Sequence, residues 1–191
     1  PQRKGDNIVF DKDEHLRSGS TIEGLKKLRP AFKENGSVTA GNSSGINDGS
    51  CALIIASEEA AKEHGLEPRA RILGLAAGGV PPRIMGIGPV PSTNKLMSRL
   101  GLKMDDLDII ELNEAFAAQG LAVLRELGID DNDPRVNPQG GAIALGHPLG
   151  ASGARLVTTA MYQLQRGNQK RALCTMCVGV GQGSSIIIEK V

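Results

Sequence analysis

The pattern of hydrophobic and polar positions divides the chain into two parts. The first 36 residues are polar and rich in Lys, Asp and Glu, and they contain one predicted helix over 21–28 that Pro30 ends. Small residues then lead into an apolar run over 51–56. This change in composition predicts a domain boundary near Ser37.

Beyond the apolar run, hydrophobic periods typical of helices and strands alternate. They predict helices over 57–64, 92–100, 114–127 and 151–166, and strands over 70–77, 108–112, 171–177 and 184–190. Strands that alternate with helices are typical of a layered α/β domain. The last two strands follow each other directly, so they predict a hairpin that makes the sheet mixed.

The segment 139–155 interrupts this rhythm with five glycines around a single histidine. Glycine permits positive φ and close backbone approach, whereas Pro148 fixes its own φ and disfavours helix at His147. The imidazole of His147 is therefore displayed on a tightly specified turn, where it can act near neutral pH. The alternative is a histidine that only satisfies a local hydrogen bond.

Composition and charge exclude several classes of protein. With 40% hydrophobic and 23% charged residues, the chain is typical of globular proteins, and its apolar runs are too short for a membrane helix. The net charge of +1 and an aromatic content of 2% provide neither the basic field nor the stacking surface that nucleic-acid binding requires. We therefore expect neither a nucleic-acid nor a membrane partner.

The three cysteines indicate the cellular compartment of the protein, and the start of the chain indicates whether the sequence is complete. An odd number of cysteines, without a secretory signal at Pro1, favours free thiols and a cytoplasmic location. The chain begins without an initiator methionine and enters directly on a charged stretch. We therefore expect a fragment of a longer protein.

Three short motifs stand at the ends of predicted strands or the starts of helices, where α/β folds usually bind ligands. They are Asn-Glu-Ala-Phe-Ala-Ala-Gln from Asn113, Gly-His-Pro-Leu-Gly from Gly146, and Cys-Val-Gly-Val-Gly-Gln-Gly from Cys177. They supply an amide, an imidazole, and a thiol followed by glycine N–H groups that an oxyanion could use. The imidazole could share a proton with the thiol.

Each motif also has a structural interpretation. Cys177 could be a small buried hydrophobic residue at a strand end, and Asn113 with Glu114 could cap a helix. Ser44 could serve only a turn, and we expect Cys51 in the core and His15 and His64 in solvent. The spacing of Cys174 and Cys177 invites a metal or redox interpretation, but no second ligand pair exists and the run is predicted as strand, so we expect no metal.

Taken together and in this order, the three motifs resemble the thiolase family. The resemblance extends upstream through Val-Thr-Ala-Gly-Asn-Ser-Ser-Gly-Ile-Asn-Asp-Gly at 38–49 and Met-Gly-Ile-Gly-Pro-Val-Pro at 85–91. It implies a thiolase-like layered fold in which residues 37–191 form the C-terminal core domain and residues 1–36 the end of an inserted loop domain. The Cys-Thr-Met-Cys and Gly-Val-Gly segments look similar to degradative thiolases that act on 3-oxoadipyl-CoA.

The resemblance also implies roles. Thiolases exchange acyl groups between 3-oxoacyl-CoA and coenzyme A, which is a co-substrate and not a permanently bound cofactor. By resemblance, His147 activates a nucleophilic cysteine, and with a water held by Asn113 it binds the thioester oxygen. Cys177 is the general acid and base, and the Gly179 N–H holds an oxyanion. By matching position, the resemblance implies coenzyme A contacts at Ser44, Ala40, Phe116 and Arg17.

One departure from the family pattern limits these roles. The acylated cysteine of the family lies in the N-terminal half, and no matching motif occurs in this chain. The resemblance therefore implies that the isolated chain is inactive, needs the missing N-terminal half, and forms a homodimer or homotetramer as the complete protein. Two alternatives are a non-catalytic coenzyme A binding or interaction module with this fold, and a ketosynthase relative, against which Cys177 and its glycines argue.

Overall fold

The structure is a computed structural model that describes residues 3–191. Its regular elements are listed here in chain order: α1 Ile22–Lys26, α2 Glu58–Glu63, β1 Ala70–Gly79, a 3₁₀ helix Pro82–Ile87, α3 Pro89–Leu100, a 3₁₀ helix Met104–Asp106, β2 Ile109–Leu112, α4 Ala117–Glu126, α5 Ala142–Leu145, α6 Leu149–Arg166, β3 Arg171–Val178 and β4 Gln182–Lys190. The predicted alternation of strands and helices is confirmed.

The four strands form one mixed sheet in the order β1-β4-β3-β2. The predicted late hairpin is β3 and β4, which pair antiparallel, and β1 pairs antiparallel with the other side of β4. β2 lies parallel to β3, with Leu112 opposite Thr175. The carboxyl ends of these two strands therefore lie at the same edge of the sheet.

Helices cover both faces of the sheet, which gives three layers. One buried cluster joins α3 and α4 to the sheet, with Leu96, Val123, Leu173 and Ile187 at 0–1% exposure. A second cluster joins α6 to the opposite face, and its members are Ile109, Leu156, Ala160, Leu164, Ala172, Cys174 and Ile188. This packing fixes where α6 begins relative to the edge of the sheet.

The helix predicted over 114–127 begins three residues later, at Ala117. The backbone continues extended past β2 because the Asn113 N–H donates to Thr175 O at 3.0 Å, and Phe116 is still extended at φ −145°. The Ala117 N–H then donates to Asn42 O at 2.8 Å. The interpretation of Asn113 and Glu114 as a helix cap is therefore wrong.

The apolar run 51–56 forms neither a helix nor a strand, and Ile54 and Ile55 are 87% and 73% exposed. An apolar run becomes a strand only when a neighbouring strand pairs with it, and none does so within residues 3–191. Cys51, expected in the core, is partly buried and lies 3.3 Å from the Thr158 hydroxyl. No helix in the described part of the chain is both long and apolar enough to cross a membrane.

Candidate active site

Two of the three predicted motifs meet directly at the carboxyl edge of β2 and β3. Asn113 follows β2 and is fully buried, and its side-chain nitrogen Nδ2 lies 3.4 Å from Nε2 of His147. His147 stands on the turn before α6 and is 8% exposed. Cys177 lies on β3, two residues after Thr175, and is also buried. The same edge of the sheet therefore carries an amide, an imidazole and a thiol.

The hydrogen bonds of Ser152 fix the tautomer of His147. Ser152 lies in the first turn of α6, and its hydroxyl oxygen is 2.6 Å from His147 Nδ1 and 3.0 Å from Pro148 O. A carbonyl oxygen only accepts, so the single hydroxyl proton goes to Pro148 O and the hydroxyl oxygen accepts from Nδ1–H. The proton of the neutral ring is therefore on Nδ1, and Nε2 faces Asn113 as an acceptor.

The backbone of the turn is fixed just before the ring. Gly146 has φ 90°, a left-handed conformation that favours glycine, and a Cβ there would lie 2.5 Å from Asn47 Oδ1. The same Asn47 oxygen accepts from the His147 N–H at 3.0 Å. Arg155 donates from Nη1 to Gly146 O at 2.7 Å. The glycine is therefore required by its neighbours as well as by its φ.

Glu114 ties the glycine segment to the end of β2. Its carboxylate accepts from Asn137 Nδ2 at 3.1 Å and from the Ile143 N–H at 3.2 Å. A Cβ on Gly141 would lie 2.2 Å from the Glu114 carboxyl carbon, so only glycine fits at that position. This contact sets the path of the chain from 139 to 146, and hence the entry to the His147 turn.

The two titratable groups of the site have pKa values shifted in opposite directions. Burial, together with the nearby positive charge of Arg155, lowers the pKa of His147 below 6.5. Burial raises the pKa of the Cys177 thiol above 9.0. At neutral pH His147 is therefore a neutral base and Cys177 a protonated thiol, which is the arrangement that general acid and base catalysis needs.

A buried carboxylate lies behind the site. Glu111 of β2 is 2% exposed and accepts from Gln163 Nε2 of α6 at 2.5 Å. Burial raises the pKa of Glu111 to about 7, although Gln163 and Arg155 oppose this rise. Cys174, next to Glu111 in the sheet, has a raised pKa because it is buried and lies close to that carboxylate. Cys174 is therefore an unreactive core thiol.

Two of the four predicted coenzyme A contacts lie beside the site. The Ser44 N–H and hydroxyl both donate to Ala115 O, at 3.0 and 3.2 Å. Phe116 is half-buried, pairs across a bridge with Ser43, and makes an edge-to-face contact with Phe32 at 5.7 Å. Ser44 and Phe116 therefore lie at the segment that follows Asn113.

The other three predicted residues are exposed. Ala40 and Arg17 are exposed, and the Arg17 side chain makes no hydrogen bond or ion pair with any residue from 3 to 191. Gly179 is exposed in the turn between β3 and β4. Its neighbour Val180 has φ 67°, a strained conformation for a β-branched residue.

Sequence reasoning missed several residues that hold the site together. They are His15, Asn47, Glu111, Glu114, Asn137, Ser152 and Arg155, with Glu114 considered only as a cap. Asn47 and Ser152 stand inside the quoted motifs and could have been found there as polar side chains. His15 was expected in solvent, but it is partly buried and its Nε2 lies 3.1 Å from Ile143 O. Among residues 3–191 no three His, Cys, Asp or Glu side chains are grouped so as to hold a metal ion.

Comparison with known families agrees with the motifs. Residues 66–190 match the family model described as "Thiolase, C-terminal domain", and residues 1–59 match "Thiolase, N-terminal domain". The chain is 64% identical over 189 residues to a protein named beta-ketoadipyl-CoA thiolase from Pseudomonas knackmussii, with 99% of this chain and 47% of that relative covered. The chain therefore spans about half the length of the curated relatives it matches.

Solved structures show the same relationship. The crystal structure of Bacillus anthracis acetyl-CoA acetyltransferase superimposes with a TM-score of 0.90 at 46% identity, covering 100% of this chain and 48% of that one. Human mitochondrial 3-ketoacyl-CoA thiolase in complex with CoA superimposes with a TM-score of 0.87 at 47% identity, covering 94% and 45%. The chain belongs to the thiolase family, and its predicted thiolase-like layered fold is confirmed.

Proposed function

We propose that this thiolase-family chain supplies the acid and base groups of a site that transfers acyl groups between 3-oxoacyl-CoA and coenzyme A. The observation that carries the proposal is that one sheet edge holds both a buried imidazole nitrogen without a proton and a buried thiol that keeps its proton. His147 presents an unprotonated Nε2 beside Asn113, and Cys177 is held as a neutral thiol. Thioester exchange requires one group to remove a proton and another to supply one.

The first half of the proposed reaction begins with proton removal by His147. Nε2 takes the proton of a nucleophilic thiol, and the thiolate attacks the 3-oxo carbon of the substrate. The bond between the second and third carbons then breaks, and the two-carbon fragment takes the Cys177 proton and leaves as acetyl-CoA. His147 and a water held by Asn113 bind the thioester oxygen of that fragment during the transfer, and the Gly179 N–H holds the oxyanion of the acyl-enzyme step.

The second half returns the protons. The Cys177 thiolate takes the proton of the coenzyme A thiol, whose sulfur attacks the acyl-enzyme and releases the shortened acyl-CoA. A buried thiol with a raised pKa recovers its proton readily, which suits Cys177 to this step. The released cysteine thiolate regains its proton from His147. Coenzyme A is thus a co-substrate.

The nucleophile of this scheme is proposed to lie in an N-terminal half that joins this chain. Cys174 is buried among apolar side chains with a raised pKa, Cys51 contacts Thr158, and Cys177 is committed as the acid. None of the three cysteines therefore fits the role of the acylated thiolate. Without it there is nothing to carry the acyl group, so we expect no turnover by residues 1–191 alone.

The substrate and the remaining contacts are also proposals. The name of the relative from Pseudomonas knackmussii supports 3-oxoadipyl-CoA as the substrate. Ser44, Ala40, Phe116 and Arg17 are proposed to contact coenzyme A, and the division into residues 1–36 and 37–191 stays a prediction. We further propose that the complete protein is a cytoplasmic homodimer or homotetramer.

Complementation tests the proposal. Residues 1–191 are assayed for thiolysis of 3-oxoadipyl-CoA, alone and fused behind the N-terminal half of the Pseudomonas knackmussii relative. We expect turnover only in the fusion, and its loss in the fusion variants His147→Ala and Cys177→Ala. The matched control is Cys174→Ala, since Cys174 lies outside the scheme.

Two results would contradict the proposal. Turnover by residues 1–191 alone would mean that a thiol in this chain accepts the acyl group. A folded fusion that binds coenzyme A but produces no acetyl-CoA would instead favour a non-catalytic binding module.

A further inference from the structure

A chain of hydrogen bonds connects the polar N-terminal segment to the backbone of His147. The ring of His15 lies with Nε2 3.1 Å from Ile143 O and Nδ1 3.4 Å from Asn47 Nδ2. Asn47 Oδ1 accepts from the His147 N–H at 3.0 Å. His15, which lies 128 positions before Ile143 in the chain, therefore contacts both sides of the turn that carries the catalytic imidazole.

The atoms of this chain allow one consistent set of donors and acceptors. Ile143 O only accepts, so His15 Nε2–H donates to it, and Asn47 Nδ2–H donates to His15 Nδ1. The Asn47 oxygen is then free to accept from the His147 N–H. If the Asn47 amide were reversed, its NH₂ group would face the His147 N–H as a second donor. The His15 ring therefore selects the orientation of Asn47 that His147 needs.

The packing around Gly45 supports this arrangement. A Cβ on Gly45 would lie 2.8 Å from Cε1 of His15 and 2.9 Å from Oδ1 of Asn47, so both side chains pack directly on this glycine. Gly45 O also accepts from the His147 N–H, at 3.2 Å. The His147 N–H is thus shared by Asn47 and by Gly45, the residue on which the His15 ring packs.

We propose that His15 and Asn47 are positioning residues for His147. Asn47 holds the backbone N–H of His147, and His15 holds Asn47 in orientation while it binds Ile143 O on the other side of the turn. Together they fix the direction of the imidazole towards Asn113. The proposal rests on the proposed function of His147 as the base. His15 acts through Asn47 and does not itself contact the reacting atoms.

The test compares variants in the active fusion described above. His15→Phe keeps a ring but removes both hydrogen bonds, whereas His15→Gln retains a donor and an acceptor. Of the two bonds, the one to Asn47 orients the acceptor of the His147 N–H, and losing one such bond corresponds to about a 3- to 10-fold fall in rate. We therefore expect His15→Phe to lower kcat by about that factor with little change in KM. His15→Gln should restore part of the loss. His64→Phe is the matched control, because His64 is exposed and lies outside the site.

A double-mutant cycle tests whether His15 acts through Asn47. Asn47→Leu removes one of the two acceptors of the His147 N–H and leaves only Gly45 O, so we expect it to lower kcat at least as much as His15→Phe. In the double variant, His15→Phe should then add little, because the bond that it supports is already lost. Full additivity of the two losses would overturn the proposal, as would an unchanged kcat in folded His15→Phe.

A spectroscopic measurement separates this proposal from the proposed function. The ring ¹⁵N and ¹H NMR signals of His147 report its orientation whether or not the fusion turns over. We expect them to move in His15→Phe and in Asn47→Leu and to stay in place in His64→Phe. If the fusion lacks thiolase activity but these signals move, the proposed positioning role of His15 and Asn47 is supported and the proposed function is contradicted. If they do not move, positioning is wrong.

Discussion

Replacement of Ser152 by alanine tests how the tautomer of His147 is set. The Ser152 hydroxyl is the partner of His147 Nδ1, at 2.6 Å, and its proton is used by Pro148 O. In Ser152→Ala the Nδ1–H loses its acceptor in a place where the ring is only 8% exposed. The ring must then keep an unpaired N–H or move the proton to Nε2.

Either outcome weakens the base. A buried donor without a partner costs about 1–3 kcal/mol, and a proton on Nε2 would face Asn113 Nδ2, which is also a donor. If this energy is lost from the transition state, thiolysis slows by about 5- to 150-fold. We therefore expect kcat to fall within this range.

The assay is steady-state thiolysis by the fusion of this chain with a relative's N-terminal half. Ser92→Ala is the matched control: Ser92 is equally buried and bonds to Gly88 O, Pro89 O and the Ser185 hydroxyl, and it makes no hydrogen bond to His147. It should lower the unfolding temperature without lowering kcat. Wild-type kcat in Ser152→Ala, with unchanged ¹⁵N shifts of His147, would refute the assignment of the tautomer.

Two further predictions follow from the pKa shifts. In the pH profile of kcat/KM, the acidic limb should have its midpoint below pH 6.5, because His147 must be neutral to act and its pKa is lowered. Arg155→Gln should move that midpoint upward by removing a positive charge. A wild-type midpoint at or above pH 6.5 would contradict this. Glu111→Gln should stabilise the fold at pH 8 by up to about 3 kcal/mol but not at pH 4.5, as measured by urea unfolding. Burial raises the pKa of Glu111 in the folded chain to about 7, above its ordinary 4.5. The cost of charging the buried Glu111 is therefore absent below pH 4.5 and grows as the pH rises through 7. Equal stabilisation by Glu111→Gln at both pH values would contradict this.

The order and type of the four strands and of helices α2, α3, α4 and α6 could be predicted from hydrophobic periods because these elements bury a regular face, whereas α5 and the two 3₁₀ helices were missed. The boundaries of the elements could not be predicted where a hydrogen bond between distant parts of the chain overrides the local pattern. Residues 114–116 have a helical pattern of apolar positions, but the backbone bond from Asn113 to Thr175 keeps them extended. Likewise 51–56 has the apolar content of a strand, yet no strand of the described chain pairs with it.

The candidate site was predictable where several unusual residues stand together in sequence. The glycines and proline around His147, and Asn113 at a strand end, indicated a site without any knowledge of contacts. The residues that hold His147 were not predictable in the same way. His15 lies in a charged segment typical of solvent, and only the folded chain brings it to Ile143 O. A contact between residues so far apart leaves no periodic signal in the sequence.

The choice of a serine as the partner of His147 bears on what the base can do. A carboxylate at Nδ1 would stabilise the imidazolium and raise the pKa of the ring, whereas the neutral Ser152 hydroxyl orients the ring without favouring its charged form. The carboxylates behind the site accept from other groups: Glu114 from Asn137 and Ile143, and Glu111 from Gln163. Besides burial, the positive charge of Arg155 lowers the pKa of His147. The site therefore favours a histidine that is neutral before the reaction and passes its proton on readily, which suits reversible proton exchange with thiols better than long-lived stabilisation of an imidazolium.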